Sequence, residues 1–205
     1  DEITVDTDGT HANGVFSYGE GTVNVTKGSY TTNGTGSPVI YSTADITVND
    51  ATLTSTASQG VVVEGQNSVT LNNVVLTADN NTKNSDKSDY YQAVMIYQSM
   101  SGDADEGTAS FAMNGGSLIN KNGDTFFVNN TVATIDLDSV DISNEDEEGI
   151  FLRTEAAGWG NEGSAVEANV SESSGHSGGG KLDGEPQSGG KPDGEPPSGG
   201  KPGSE

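Results

Sequence analysis

A chain of 205 residues without cysteine has no disulfide, no thiolate metal site and no cysteine nucleophile, and its length suits one domain plus a tail. Its 31 acidic residues outnumber 8 basic ones, for a formal charge of −23, and the few Lys and Arg are scattered, which excludes a phosphate-tracking nucleic-acid surface. Only 30% of residues are apolar while 29 are glycine, too little for one thick core but enough for a stack of thin layers joined by many turns.

From Asp1 the chain alternates at once, with Ile3 and Val5 in strand spacing. This start predicts a mature or trimmed fragment that lacks N-terminal coils. A spacing of one apolar residue, another two positions on and a third seven positions on then appears as Val23, Val25 and Tyr30. It recurs as Ile46, Val48, Leu53; Val69, Leu71, Leu76; Phe111, Met113, Leu118; and Ile135, Leu137, Ile142, with Val166 and Ala168 expected to begin a sixth copy. The first three copies lie 23 residues apart, a period that signals one structural unit stacked on itself.

A second column runs in step: Phe16, Val39, Val62, Met95, Phe127 and Phe151. Each unit therefore reads as three short extended pieces rich in β-branched and aromatic residues. A third column, Thr26, Asn49, Asn72, Asn114, Asp138 and Asn169, predicts a ladder of stacked turn residues with a structural role. The expected fold is all-β: a right-handed parallel β-helix, a three-sided solenoid of six to seven coils of about 23 residues, spanning 1–170. Residues 171–205 carry a Gly/Pro/Ser-rich decapeptide repeat (Lys181 to Gly190, then Lys191 to Gly200) and are expected to form a disordered linker. No stretch is long and apolar enough to span a bilayer, so a membrane-spanning protein is not expected.

The period slips in three places. Val62 to Met95 is 33 residues, which puts an insertion near Asp79 to Asp89. Loops bulge at Ser99 to Gly107 and at Thr154 to Gly163, on one corner, where a solenoid collects a binding face. These loops bring Asp103, Asp105, Glu106, Glu155 and Glu162 as oxygen ligands suited to calcium. Trp159 and Asn161 suit a sugar, which presents an apolar face and hydroxyl edges. The alternative is that the acidic loops stay hydrated and Trp159 caps the core. Asp6 to Gly9 and Glu145 to Glu148 are weaker cation candidates, because neither matches an EF-hand loop.

A further line, Tyr18, Tyr41, Glu64, Tyr97, Asn129 and Arg153, either fills the core or faces out as an aromatic stripe. Both flanking positions are apolar, so alternation alone leaves the two open. Outward tyrosines would favour carbohydrate. His11 and His176 are isolated, so no Ser-His-Asp arrangement can be argued, and no catalytic residue is assigned.

The units, with Ser37-Pro-Val-Ile-Tyr-Ser-Thr-Ala-Asp-Ile-Thr-Val48 and Tyr97-Gln-Ser-Met-Ser-Gly-Asp-Ala-Asp-Glu-Gly107, resemble the pectin-lyase-like β-helices displayed by clostridial and related gut bacteria. Over residues 1–170 they are similar to the polygalacturonate-binding, carbohydrate-binding-domain-containing family. That resemblance implies a non-catalytic, secreted or cell-surface module or adhesin of a bacterium that binds polysaccharide, such as a polyuronate, through calcium. Calcium is then the expected cofactor, and the chain is expected to be a monomer or part of a longer surface protein. It carries over no individual binding residue. Two other classes stay open: a structural stalk with a protein partner, and a weak polysaccharide lyase using Arg153 as base or clamp.

Overall fold

In a computed structural model, residues 2–81, 91–99, 102–155 and 165–171 are described, and all of them belong to the unit Asp1–Ser174. The described residues contain no helix. Their strands are β1 (Thr4–Thr7), β2 (Val15–Ser17), β3 (Thr22–Thr26), β4 (Ser29–Thr32), β5 (Ile40–Ser42), β6 (Asp45–Asn49), β7 (Thr52–Ser55) and β8 (Val61–Glu64). They continue with β9 (Ser68–Ala78), β10 (Val94–Tyr97), β11 (Thr108–Asn120), β12 (Phe126–Asn129), β13 (Val132–Asp138), β14 (Asp141–Asn144), β15 (Leu152–Glu155) and β16 (Ala165–Ser171).

Every described pairing is parallel, and strands fall into three columns. One column is a six-stranded sheet in the order β2-β5-β8-β10-β12-β15. The other two share a ten-stranded sheet, because β9 and β11 run through both while the neighbouring units break into two strands. The break falls at one level: Lys27, Asp50, Asn73, Gly115 and Ser139 all have positive φ, between 52° and 65°. Asn and Asp tolerate that left-handed backbone better than other L-residues. Gly116, the next residue of β11, has no alternative, since a Cβ there would lie 2.1 Å from the Val74 carbonyl oxygen.

The five apolar triplets stand in one register. Val23, Ile46, Val69, Phe111 and Ile135 are paired in sequence, as are Val25, Val48, Leu71, Met113 and Leu137, and Tyr30, Leu53, Leu76, Leu118 and Ile142. These residues and the inward side of the six-stranded sheet (Ile40, Val61, Val63, Val94, Ile96, Phe126, Val128) form one continuous core. The asparagine ladder is present: Asn72 donates to Asn49 at 2.9 Å and Asn114 to Asn72 at 2.8 Å.

Three positions differ from the sequence reading, each by two residues. Tyr41, not Val39, lies between Phe16 and Val62, and Arg153, not Phe151, lies beside Phe127. In β16, Ala168 and Val170 continue the triplet, and Asn169 faces Asp136 rather than Asp138, donating to it at 2.9 Å. A slip of one residue would turn every side chain to the wrong face, but a slip of two preserves the faces, so hydrophobic alternation does not resolve it.

Removing three carbons at the fully buried Leu71 creates a cavity that flanking levels cannot fill, so Leu71→Ala should cost about 2–5 kcal/mol of stability. Asn72→Ala removes both hydrogen bonds at the centre of a ladder that is half-buried at Asn49 and exposed at Asn114, and should cost about 0.5–1.5 kcal/mol. Urea midpoints for the two variants, compared with the unsubstituted chain, check both values.

Candidate functional site

The outward side of the six-stranded sheet follows from what its alternate residues do. Ile40, Val61, Val63, Val94 and Ile96 are buried in the core, so Tyr41, Val62, Glu64, Met95 and Tyr97 point the other way. The tyrosine line therefore faces outward. It is not a uniform stripe. Phe16 and Tyr18 are 55% and 67% exposed, and the Phe16 and Tyr41 rings stand 5.5 Å apart at 59°. Tyr41 and Tyr97 are half-buried around the carboxylate of Glu64, which is 1% exposed.

Burying a carboxylate is costly unless hydrogen bonds replace its hydration. Here three hydroxyls do so. Tyr41 Oη donates to Glu64 Oε2 at 2.6 Å, Tyr97 Oη reaches the same oxygen at 3.2 Å, and Ser99 Oγ donates to Oε1. The two phenol oxygens are themselves 2.6 Å apart, which closes a triangle. Burial, and then the Glu64 charge, hold Tyr97 up to about 12, against the opposing effect of its bond with Tyr41. Burial raises Tyr41 as well, reinforced by Tyr97 and by its bond to Glu64.

Beyond Ser99, residues 102–107 lie against the turn that follows β8. Gln66 N donates to Asp105 O at 2.9 Å and Gln98 Nε2 to Ala104 O at 3.0 Å. This approach needs Gly65, whose φ is 68° and where a Cβ would lie 2.5 Å from Ala104 Cβ. Between this segment and the turns after β2 and β5 lies a cleft of about 250 Å³. Glu20, Asp45, Asp103 and Asp105 bring carboxylates to it, and Thr43, Gln66 and Asn67 bring neutral donors and acceptors. Tyr18 stands at its rim, with Oη 3.5 Å from Asp103 Oδ1.

The remaining expected residues scatter. Glu106 is exposed and does not line the cleft, whereas Glu155 accepts from Arg153 Nη1 at 2.9 Å. Arg153 also forms an ion pair with Asp124 at 2.6 Å, not aligned as a hydrogen bond, and stacks 4.5 Å over the Phe127 ring. It is thus engaged in holding the last strand of its sheet. Trp159, Asn161 and Glu162 lie outside the described residues, as does much of the predicted insertion near Asp79 to Asp89. Among the described residues no three carboxylates or imidazoles converge closely enough to hold a metal ion.

Sequence reasoning missed Phe16 as a surface residue and Glu64 as a buried anchor. It also missed Glu20, Asp45, Gln66 and Asn67 as cleft groups. Glu64 did carry a signal: it is the one carboxylate in a line otherwise made of aromatic, amide and guanidinium groups. No family model, curated protein or solved structure matches the chain.

A phenol whose pKa is raised on folding stabilises the fold fully below its unfolded value of about 10, and this contribution is lost as pH climbs through the folded value. For Tyr97 the loss spans the interval from there to about 12. Urea midpoints should fall steeply over that range, and Tyr97→Phe should flatten the fall. An unchanged alkaline slope in Tyr97→Phe would show that the phenol is not buried against Glu64.

Proposed function

We propose that this chain is a right-handed, three-sided parallel β-helix acting as a non-catalytic carbohydrate-binding module, displayed outside a bacterial cell. The observation that carries this reading is the exposed aromatic pair Phe16 and Tyr18 beside a polar cleft. Ring faces accept the apolar face of a sugar, and Thr43, Gln66, Asn67 and the carboxylates can exchange hydrogen bonds with its hydroxyls. Right-handed crossover between parallel strands is the strong default, which supports the handedness.

The cleft favours a neutral glycan. It has four carboxylates and no Lys or Arg in its lining, so a polyuronate would meet like charge. A volume of about 250 Å³ falls below the roughly 300–1,000 Å³ of small-molecule sites, so it accommodates about one ring while the polymer runs on over the sheet face.

Affinity electrophoresis through gels of a neutral polysaccharide and of polygalacturonate, each with calcium and with chelator, tests the reading. Retention by the neutral polymer, indifferent to chelator and weakened about tenfold (roughly 1.4 kcal/mol) in Tyr18→Ala, is expected. Chelator-sensitive retention on polygalacturonate alone would instead establish the calcium-bridged module. Retention on neither would favour the stalk.

A further inference from the structure

In an Asn-Gly pair the glycine nitrogen reaches the preceding side-chain amide with little hindrance, because no Cβ stands in the way. The chain has four such pairs: Asn13-Gly14, Asn33-Gly34, Asn114-Gly115 and Asn122-Gly123. The fold treats them unequally. We infer that Asn114-Gly115 is a covalent modification site, where the native chain deamidates and isomerises ahead of the other three.

The other three are held. The Asn33 amide donates to Asp6 Oδ1 at 2.8 Å and to Asp8 Oδ1 at 3.0 Å, and its oxygen accepts from Thr56 Oγ1 at 2.9 Å. Gly34 lies so close to Gly9 that a Cβ on it would stand 2.0 Å from the Gly9 carbonyl oxygen. Asn122 donates to Asp79 O at 2.6 Å, and Gly123 N, the nitrogen that would attack, is engaged by Asp146 Oδ2 at 2.7 Å. Asn13 is half-buried, and a Cβ on Gly14 would lie 2.9 Å from Val39 O.

Asn114 is exposed, and among the described residues its amide makes one hydrogen bond, to Asn72. The ladder stops there, since the next level holds Asp138, whose carboxylate has no proton to donate. β11 pairs with β9 up to Asn114 and again from Gly116, and its other edge passes from β13 to β14 across the same gap. Gly115 is therefore outside both pairings. Its φ is 65°, and a Cβ there would meet nothing within 4 Å. Such a place opens by local fluctuation without unfolding the stack.

The reaction needs only water. Gly115 N gives its proton to solvent and attacks Asn114 Cγ. An N–Cγ bond forms, the Cγ–Nδ2 bond breaks, and ammonia leaves behind a cyclic imide. Water then opens the ring. Breaking the N–Cγ bond gives aspartate, whereas breaking the bond from that nitrogen to the main-chain carbonyl carbon gives isoaspartate. Either product puts a carboxylate one level from Asp138 and takes the donor from Asn72 Oδ1. Isoaspartate also adds a backbone methylene to β11, the strand shared by two columns. The modification is thus a slow, one-way loosening of the stack.

Cleavage after Lys and Arg puts the four pairs in separate peptides, 1–27, 28–83, 88–121 and 122–153. Peptide mapping of the full chain, aged native and aged in urea, tests this inference. Native protein should gain one mass unit first in 88–121, faster at alkaline than at neutral pH. Fragment ions should assign the change to Asn114 rather than Asn120 and detect isoaspartate there. In urea all four peptides should change. Gly115→Ser copies Ser139, its counterpart at positive φ, and should slow the native reaction severalfold. Circular dichroism checks its fold, with Asn114→Gln as the substitute should it misfold. Asn114→Asp should lower the urea midpoint, and by less in about 1 M salt than at low salt. A native 88–121 peptide that outlasts any of the other three, or that changes at Asn120 alone, overturns the inference. An Asn114→Asp midpoint equal to that of the unsubstituted chain overturns the loosening.

Discussion

Everything in this molecule depends on one constraint: a strand pairs with its own equivalent one unit further along the chain. Parallel pairing places each residue about 4.8 Å above its counterpart, so whatever the sequence repeats becomes a column. Apolar triplets become a continuous core, asparagines become a ladder of amides, and positions with positive φ become a line of turns. The same constraint means that no level is satisfied alone. The backbone groups of β6, for example, are completed by β3 on one side and β9 on the other.

Much of this was legible because the repeat is carried by large apolar residues at unequal intervals of two and five. Val23, Val25 and Tyr30 can be laid on Ile46, Val48 and Leu53 in only one way. The six-stranded sheet was less legible because its units offer apolar residues on both faces. Val39 and Tyr41, or Phe151 and Arg153, differ by two positions and satisfy inside-outside alternation equally well. Only pairing with neighbouring strands distinguishes them. Glu64 shows a different limit. Its burial results from Ser99 and the segment around Ala104 folding over the sheet, and a one-dimensional pattern contains no trace of that long-range contact.

The candidate site arises where the stack is interrupted, yet its geometry is set by the stack. Tyr41 and Tyr97 converge on one carboxylate oxygen because β5 and β10 flank β8 in the sheet, one level to either side. Gly65 lets residues 104 and 105 approach, and the turns after β2 and β5, stacked one level apart, provide the opposite wall of the cleft. A loop insertion of the same composition on an irregular scaffold would have no such fixed wall. Repetition here supplies rigidity, and a single insertion supplies shape.

A formal charge of −23 should make a stack of like upon like unstable, because a repeated acid would stand about 4.8 Å from its copy. Among the described residues the chain avoids this at every paired position. Asp45 lies between Thr22 and Ser68, Asp136 between Ala112 and Asn169, and Asp138 between Asn114 and Ser171. Several acids accept hydrogen bonds from their neighbours: Asp45 from Ser68 at 2.8 Å, Asp50 from Asn73 at 2.8 Å and Asp6 from Asn33 at 2.8 Å. Apolar and amide residues repeat down a column, whereas acids do not recur at adjacent levels. Screening over about 8 Å at physiological ionic strength reaches less than two levels, so spacing acids by at least two levels within a column removes most of the repulsion along it. What remains is a diffuse negative field around the whole stack. That field leaves local pairing intact and opposes the approach of a second negative body, the more so at low ionic strength.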